Sequence, residues 1–148
     1  MKVADTVLMY APAKSNKALR MKPAIIRMGA RIKMVTPDMF QTTIGELLGF
    51  TEDEVAEIAG KAEISDEDAG HNIEITQEEL EKLNNLSQEV LVMWNFAGPK
   101  IDTLLRNFKK AGVSKVELKA VVTPNNIKWT FAKLILELQN ESEVYKTI

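Results

Sequence analysis

The side chains best suited to recognising a ligand gather in the C-terminal part of the chain: Trp94-Asn95, Lys119, Thr123, Asn126 and Trp129. Hydroxyl, carboxamide and ammonium groups beside an indole suit an anion or a small polar ligand, above all where a helix N-terminus adds free backbone N–H groups. None of these groups is a nucleophile with an adjacent base, so no catalytic residue is assigned. The single histidine, His71, sits between Gly70 and Asn72 in an acidic stretch and reads as a freely titrating surface imidazole. Asp66, Glu67, Asp68 and His71 could hold a divalent cation weakly, but the twelve-position calcium loop with its glycine and terminal glutamate is missing, and no metal is assigned. Neither the phosphate loop nor the dinucleotide glycine fingerprint occurs, which leaves the cofactor unknown. These residues favour a non-enzymatic binding or regulatory module. A small-molecule or anion-binding domain, or a small enzyme, using the Trp94/Thr123–Trp129 crevice is the rival reading.

Such a crevice needs strands to carry it. Glu89 to Phe96 is a near-continuous apolar run of strand length, and it predicts a strand buried on both faces. After Gly98-Pro99, residues Ile101, Leu104, Leu105, Phe108 and Ala111 share one helical face, with Gly112 as a C-terminal stop. Val116 to Val122 alternates, which predicts a second strand with one drier face. Thr123-Pro124-Asn125-Asn126 breaks it, and Asn125 or Asn126 is expected to cap a helix over about 127–141. In open parallel sheets ligands gather beyond the carboxyl ends of the strands, and Trp94-Asn95 and Thr123 both lie at such ends.

The first fifty residues repeat this plan. A strand is expected over 6–10, a helix with Leu19, Ile25 and Ile26 ending at Gly29, and a strand over 30–35, with a kink or a start near Pro23. Val35-Thr36-Pro37 with Thr43 and Leu47 corresponds to Val122-Thr123-Pro124 with Thr130 and Leu134 at a constant offset, which points to an internal duplication. The expected fold is α/β: two similar β-α-β-α halves, residues 6–50 and 89–141, in one domain over 1–148 with one sheet of about four strands. The strand order 2-1-3-4 follows from putting the two runs that are apolar on both faces at the centre. Residues 51–88 form an acidic, partly helical insert, in which Thr51 to Glu54 and Thr76 to Glu79 satisfy the capping-box pattern.

Through Met93, Gly112, Leu118-Lys119-Ala120-Val121, Thr123-Pro124, Asn126 and Trp129-Thr130, the second half resembles a bacterial family of unknown function. Its signature is L-K-A-V-x-T-P-x-N-x-x-W-T. The resemblance covers about 89–141, and 6–50 looks like the usual upstream half of such proteins. It implies the architecture and carries no established activity.

The composition fits a folded domain, at 45% apolar and 27% charged residues. The absence of cysteine excludes a disulfide scaffold and a thiol nucleophile, and suits a reducing compartment. The apolar run Val7 to Tyr10 is far too short for a signal or membrane segment, so the expectation is a cytoplasmic protein without membrane contact. A net charge of -2 hides a division, because residues 51–89 hold 13 acids against two bases and the flanks are basic. Nucleic acid ranks third among the readings, with Lys109, Lys110, Lys115, Lys119, Lys128 and Lys133 as phosphate contacts, since the pI near 5.5 opposes it. Placed on a helical wheel, Trp129 and Leu136 fall opposite the stripe of Ile127, Phe131, Leu134 and Ile135. That second patch needs cover from the insert helix through Leu80 and Leu83, from a homodimer, or from a protein partner.

Overall fold

The computed structural model describes residues 4–12, 16–61, 75–113 and 116–146. In chain order the elements are β1 (Thr6–Tyr10), α1 (Lys17–Arg27), β2 (Arg31–Met34), a 3-10 turn (Pro37–Met39), α2 (Ile44–Leu48) and α3 (Glu52–Ala59). They continue with α4 (Gln77–Asn84), β3 (Val90–Trp94), α5 (Gly98–Lys110), β4 (Leu118–Val121) and α6 (Phe131–Lys146). The acidic loop 65–71, with Asp66, Glu67, Asp68 and His71, lies outside the described residues. The chain divides into two compact units, Met1–Val35 with Ser87–Val121, and Thr36–Leu86 with Val122–Ile148.

The first unit is an α/β layer built on one mixed sheet in the order β2-β1-β3-β4, as the two-faced apolar runs require. Pairing is parallel at β1–β2 and β3–β4, and antiparallel at the central β1–β3 pair. In that pair Thr6 faces Trp94, Leu8 faces Val92 and Tyr10 faces Val90. Every residue of β1 is buried, as are Val90 to Met93 of β3, whereas β2 alternates between exposed and half-buried positions, as an edge strand should. Val7, Met9, Leu91 and Met93 point to one side and join a core with Met21, Ala24 and Ile25 of α1 and Leu104 and Phe108 of α5. Leu8 and Val92 alternate to the other side and are fully buried or nearly so.

Helix α1 begins at Lys17 and runs through Pro23 rather than starting there. Pro23 is exposed, so water can serve the carbonyl that loses its helical donor. Both sheet-covering helices end at a glycine in the left-handed region, Gly29 at φ 79° and Gly112 at φ 80°, where a side chain would be strained.

The second unit is held by a short strap. Thr43 and Thr130 form an isolated antiparallel bridge. The Ile44 N–H donates to the Trp129 carbonyl at 2.9 Å, and the Phe131 N–H donates to the Thr42 carbonyl at 3.1 Å. The Gly45 N–H donates to the Ile127 carbonyl at 2.9 Å, and the Ala132 N–H to the Phe40 carbonyl at 2.8 Å. In each pair the second bond joins residues 87 positions away from those of the first. The buried rings of Phe40 and Phe131 stack at 5.7 Å.

The last helix begins four residues later than the turn motif suggests, and its cap is Thr130, not an asparagine. Thr130 Oγ1 accepts the Lys133 N–H at 3.1 Å, as Thr43 Oγ1 accepts the Glu46 N–H at 3.3 Å. Asn126 cannot cap because its carboxamide is used one turn earlier, on Thr123. Since Trp129 precedes α6, it does not belong to the wheel drawn for it. Both expected capping boxes form, Thr51 with Glu54 on α3 and Thr76 with Glu79 on α4.

Two outcomes follow. Gly45 has room for a hydrogen only, because a Cβ there would lie 2.5 Å from Val55 Cγ2. Gly45→Ala should therefore cost about 1–3 kcal/mol in urea unfolding, and adding Val55→Ala should return part of it. Hydrogen bonds from the Thr51 backbone N–H and then from its side chain hold the Glu54 carboxyl below the usual carboxylate range. The cap is thus complete above the ordinary carboxylate value and fades as pH falls through the lowered one. Amide exchange in the first turn of α3 should speed up over that acid range, and Thr51→Ala should speed it at neutral pH as well.

Candidate functional site

Six residues carry the crevice expected from sequence. Three of them, Trp94, Asn95 and Lys119, belong to the first unit, and Thr123, Asn126 and Trp129 to the second. Strands β3 and β4 are adjacent and parallel, with Leu91 opposite Lys119 and Met93 opposite Val121. The carboxyl ends of the two strands therefore lie side by side, as a strand-end site requires.

Trp94 closes β3, half-buried, opposite Thr6. Asn95 follows at φ 66°, a left-handed conformation that asparagine tolerates better than other side chains. Its amide donates to Asp5 Oδ1 at 2.6 Å, and the other oxygen of Asp5 pairs with the Lys100 ammonium. Lys100 also lies 4.7 Å above the Phe96 ring. This cluster ties the start of β1 to the end of β3 and to the first turn of α5. The Lys119 ammonium donates to the Val116 carbonyl at 2.9 Å, a bond to its own strand approach.

In the second unit Thr123 and Asn126 meet and lock a turn. The Thr123 N–H donates to Asn126 Oδ1 at 2.9 Å, and the Asn126 N–H donates to Thr123 Oγ1 at 3.2 Å. The Ile127 N–H closes the same turn on the Thr123 carbonyl at 3.1 Å. Asn126 is buried, so its carboxamide serves this reciprocal pair. Trp129 is half-buried, with the Lys133 ammonium 4.4 Å above its ring. Leu136 on α6 is also half-buried, and Leu83 of α4 is fully buried. Beside the turn, Asn125 Oδ1 is buried without a donor among the described residues.

A second feature lies wholly in the first unit. A groove of about 380 Å³ runs between α1 and α5, lined by Arg20, Pro23, Ala24, Arg27, Asn107, Lys110 and Ala111. The two helices carry eight basic side chains against one acid, Asp102. Some of the charge is used locally: Lys17 pairs with Glu89 at 3.2 Å, and Arg20 donates to the Gly112 carbonyl at 3.2 Å. Among the described residues no carboxylate pairs with Arg27 or Lys110.

Of the lysines expected to meet phosphates, Lys110 lines this groove and Lys109 is not in its lining. Lys128 and Lys133 belong to the second unit, and Lys115 lies outside the described residues. Sequence reasoning missed Arg20, Arg27 and Asn107. A signal for the arginines was present, since α1 holds four bases and no acid, but Asn107 reads as an ordinary solvent-facing helix residue.

Comparison with known families adds one finding. Residues 89–145 match a family described as a domain of unknown function (DUF3783). The match starts just before β3 and ends within α6, so it contains the Thr123–Asn126 turn and the Thr130 cap. No curated protein and no solved structure matches the chain. No helix of the described residues is long and apolar enough to cross a membrane.

The reciprocal pair supports a stability forecast. Asn126→Ala removes the acceptor of the part-buried Thr123 N–H and should cost about 1–2 kcal/mol. For a chain of this size that is a fall of roughly 2–4 °C in melting temperature per kcal/mol, measurable by calorimetry.

Proposed function

We propose that this chain is a non-enzymatic binding module of the bacterial cytoplasm, built by duplication from two equivalent β-α-β-α halves. The observation that carries the first part is the use made of its polar side chains. Asn95, Lys119, Thr123 and Asn126 each spend hydrogen bonds on nearby main chain or on a neighbour that fixes a turn. Groups held this way shape a surface, and they have no proton transfer to perform.

The duplication is supported by the two-fold character of the pairings. In the strap every bond recurs 87 positions along the chain, the offset of the repeated Thr-Pro motif, and the central strands β1 and β3, 84 positions apart at Leu8 and Val92, pair with each other. Two equivalent strands can pair in this self-complementary way only when antiparallel. The Thr-Pro turn then recurs because each half needs the same strand-to-helix join. The absence of cysteine suits the reducing cytoplasm.

The rival reading, a small polar ligand at the Thr123–Trp129 turn, is favoured by Asn125 Oδ1. A buried acceptor without a donor costs about 1–3 kcal/mol, and a ligand N–H or O–H would recover it.

One experiment separates the two. The full chain is incubated for a day with a mixture of nucleotides, sugar phosphates, amino acids and keto acids, while proton NMR follows the mixture and the two tryptophan indoles. The module reading expects every component unchanged and both indoles unmoved. A shift of the Trp129 indole that Asn125→Ala removes would establish the ligand site. Turnover of any component that Asn126→Ala or Lys119→Met abolishes would overturn the non-enzymatic reading.

A further inference from the structure

Apart from Ala24, the side chains lining the groove between α1 and α5 take no part in the core on the sheet, and the charge of the groove is unbalanced. Arg20 and Arg27 are seven positions apart on α1, hence on one face and about 10 Å apart along the axis. Lys110 faces them from α5. Two helices end at this groove, and each C-terminus carries about half a negative charge, so together they offset about one of the three cations. The remainder is about two positive charges in a concave site with no acid in its lining. An isolated lysine or arginine at a helix end is explained by the helix dipole alone; this surplus is not.

We propose that this groove binds a phosphate group. A phosphomonoester carries about 1.5 to 2 negative charges at neutral pH, which matches the surplus. Guanidinium forks pair with phosphate oxygens in bidentate fashion, and Arg20 keeps donors to spare after its bond to the Gly112 carbonyl. The Asn107 carboxamide adds a donor on the α5 wall, while Pro23 and Ala24 give the rest of a ligand an apolar floor. A volume of about 380 Å³ is within the range of small-ligand sites. The phosphate can belong to a small phosphorylated molecule or to a nucleic-acid backbone, because the groove reads the same oxygens in both. The inference deepens the binding-module reading and rests on it.

The test is isothermal titration of the full chain with sodium phosphate, pyrophosphate, dodecauridylate and polyglutamate, all at about 150 mM ionic strength so that distant surface charges are screened. Saturable binding of at least one phosphate compound is expected, weakened about tenfold or more in Arg27→Gln/Lys110→Gln. Lys22→Gln/Lys109→Gln removes the same net charge outside the groove and should stay within about twofold of the parent. Tighter binding of phosphate or pyrophosphate identifies a small ligand. Tighter binding of dodecauridylate with a steep salt dependence identifies nucleic acid. The proposal is overturned if none of the three phosphate compounds binds, if both double variants lose affinity equally, or if polyglutamate binds as well as dodecauridylate. Any of those results leaves the module reading intact, since that reading fails on turnover or on a Trp129 indole shift that Asn125→Ala removes.

Discussion

The first unit depends on the pairing of β1 with β3. Both strands are apolar on both faces, so neither can stand at an edge and each must have a neighbour on either side. Leu8 and Val92 sit opposite one another at the middle of that pair and are almost completely removed from solvent. A side chain of that kind contributes about 1.5–3 kcal/mol when fully buried, and the pair supplies it at eight or more adjacent positions. With the two central strands joined in this way, β2 and β4 have only the outer edges left. The parallel β-α-β connections then place α1 and α5 where their apolar faces meet Val7, Met9, Leu91 and Met93.

That arrangement also decides where charge goes. The inner faces of α1 and α5 are used by the core, so their bases must stand on the outer face and in the groove between them. Acids are nearly missing from both helices, which carry eight bases against Asp102 alone. Leu19 and Ile26 are the large apolar side chains that remain mostly exposed among the described residues, both on α1.

Polar side chains at the strand ends work by a different physics. Asn95 tolerates a positive φ because its carboxamide can reach a partner close by, here Asp5. Thr123 and Asn126 satisfy each other's backbone N–H groups where the chain turns from β4 towards α6. The motif that looks most like a binding signature is therefore also the one a tight turn needs. The same spacing serves both purposes, and residue type alone does not separate them.

The sequence by itself determined the periodicities and local signals: two-faced strands, amphipathic helices, glycine stops and capping boxes. Each rests on interactions within a few residues, and from these the α/β class and the order 2-1-3-4 could be read. Boundaries were less legible, and α6 began at Phe131 because Asn126 was engaged elsewhere. The tertiary structure alone decided the antiparallel sense of β1–β3, since a strand with both faces apolar is equally well buried in either direction. It also decided the strap around Thr43 and Thr130, whose bonds join residues 82 to 92 positions apart. The groove was decided there too: Arg20 and Arg27 are neighbours on a wheel, but Lys110 comes beside them only when two β-α-β units share a sheet. Pairings distant in sequence leave no local periodicity, and for that reason they had to be found in three dimensions.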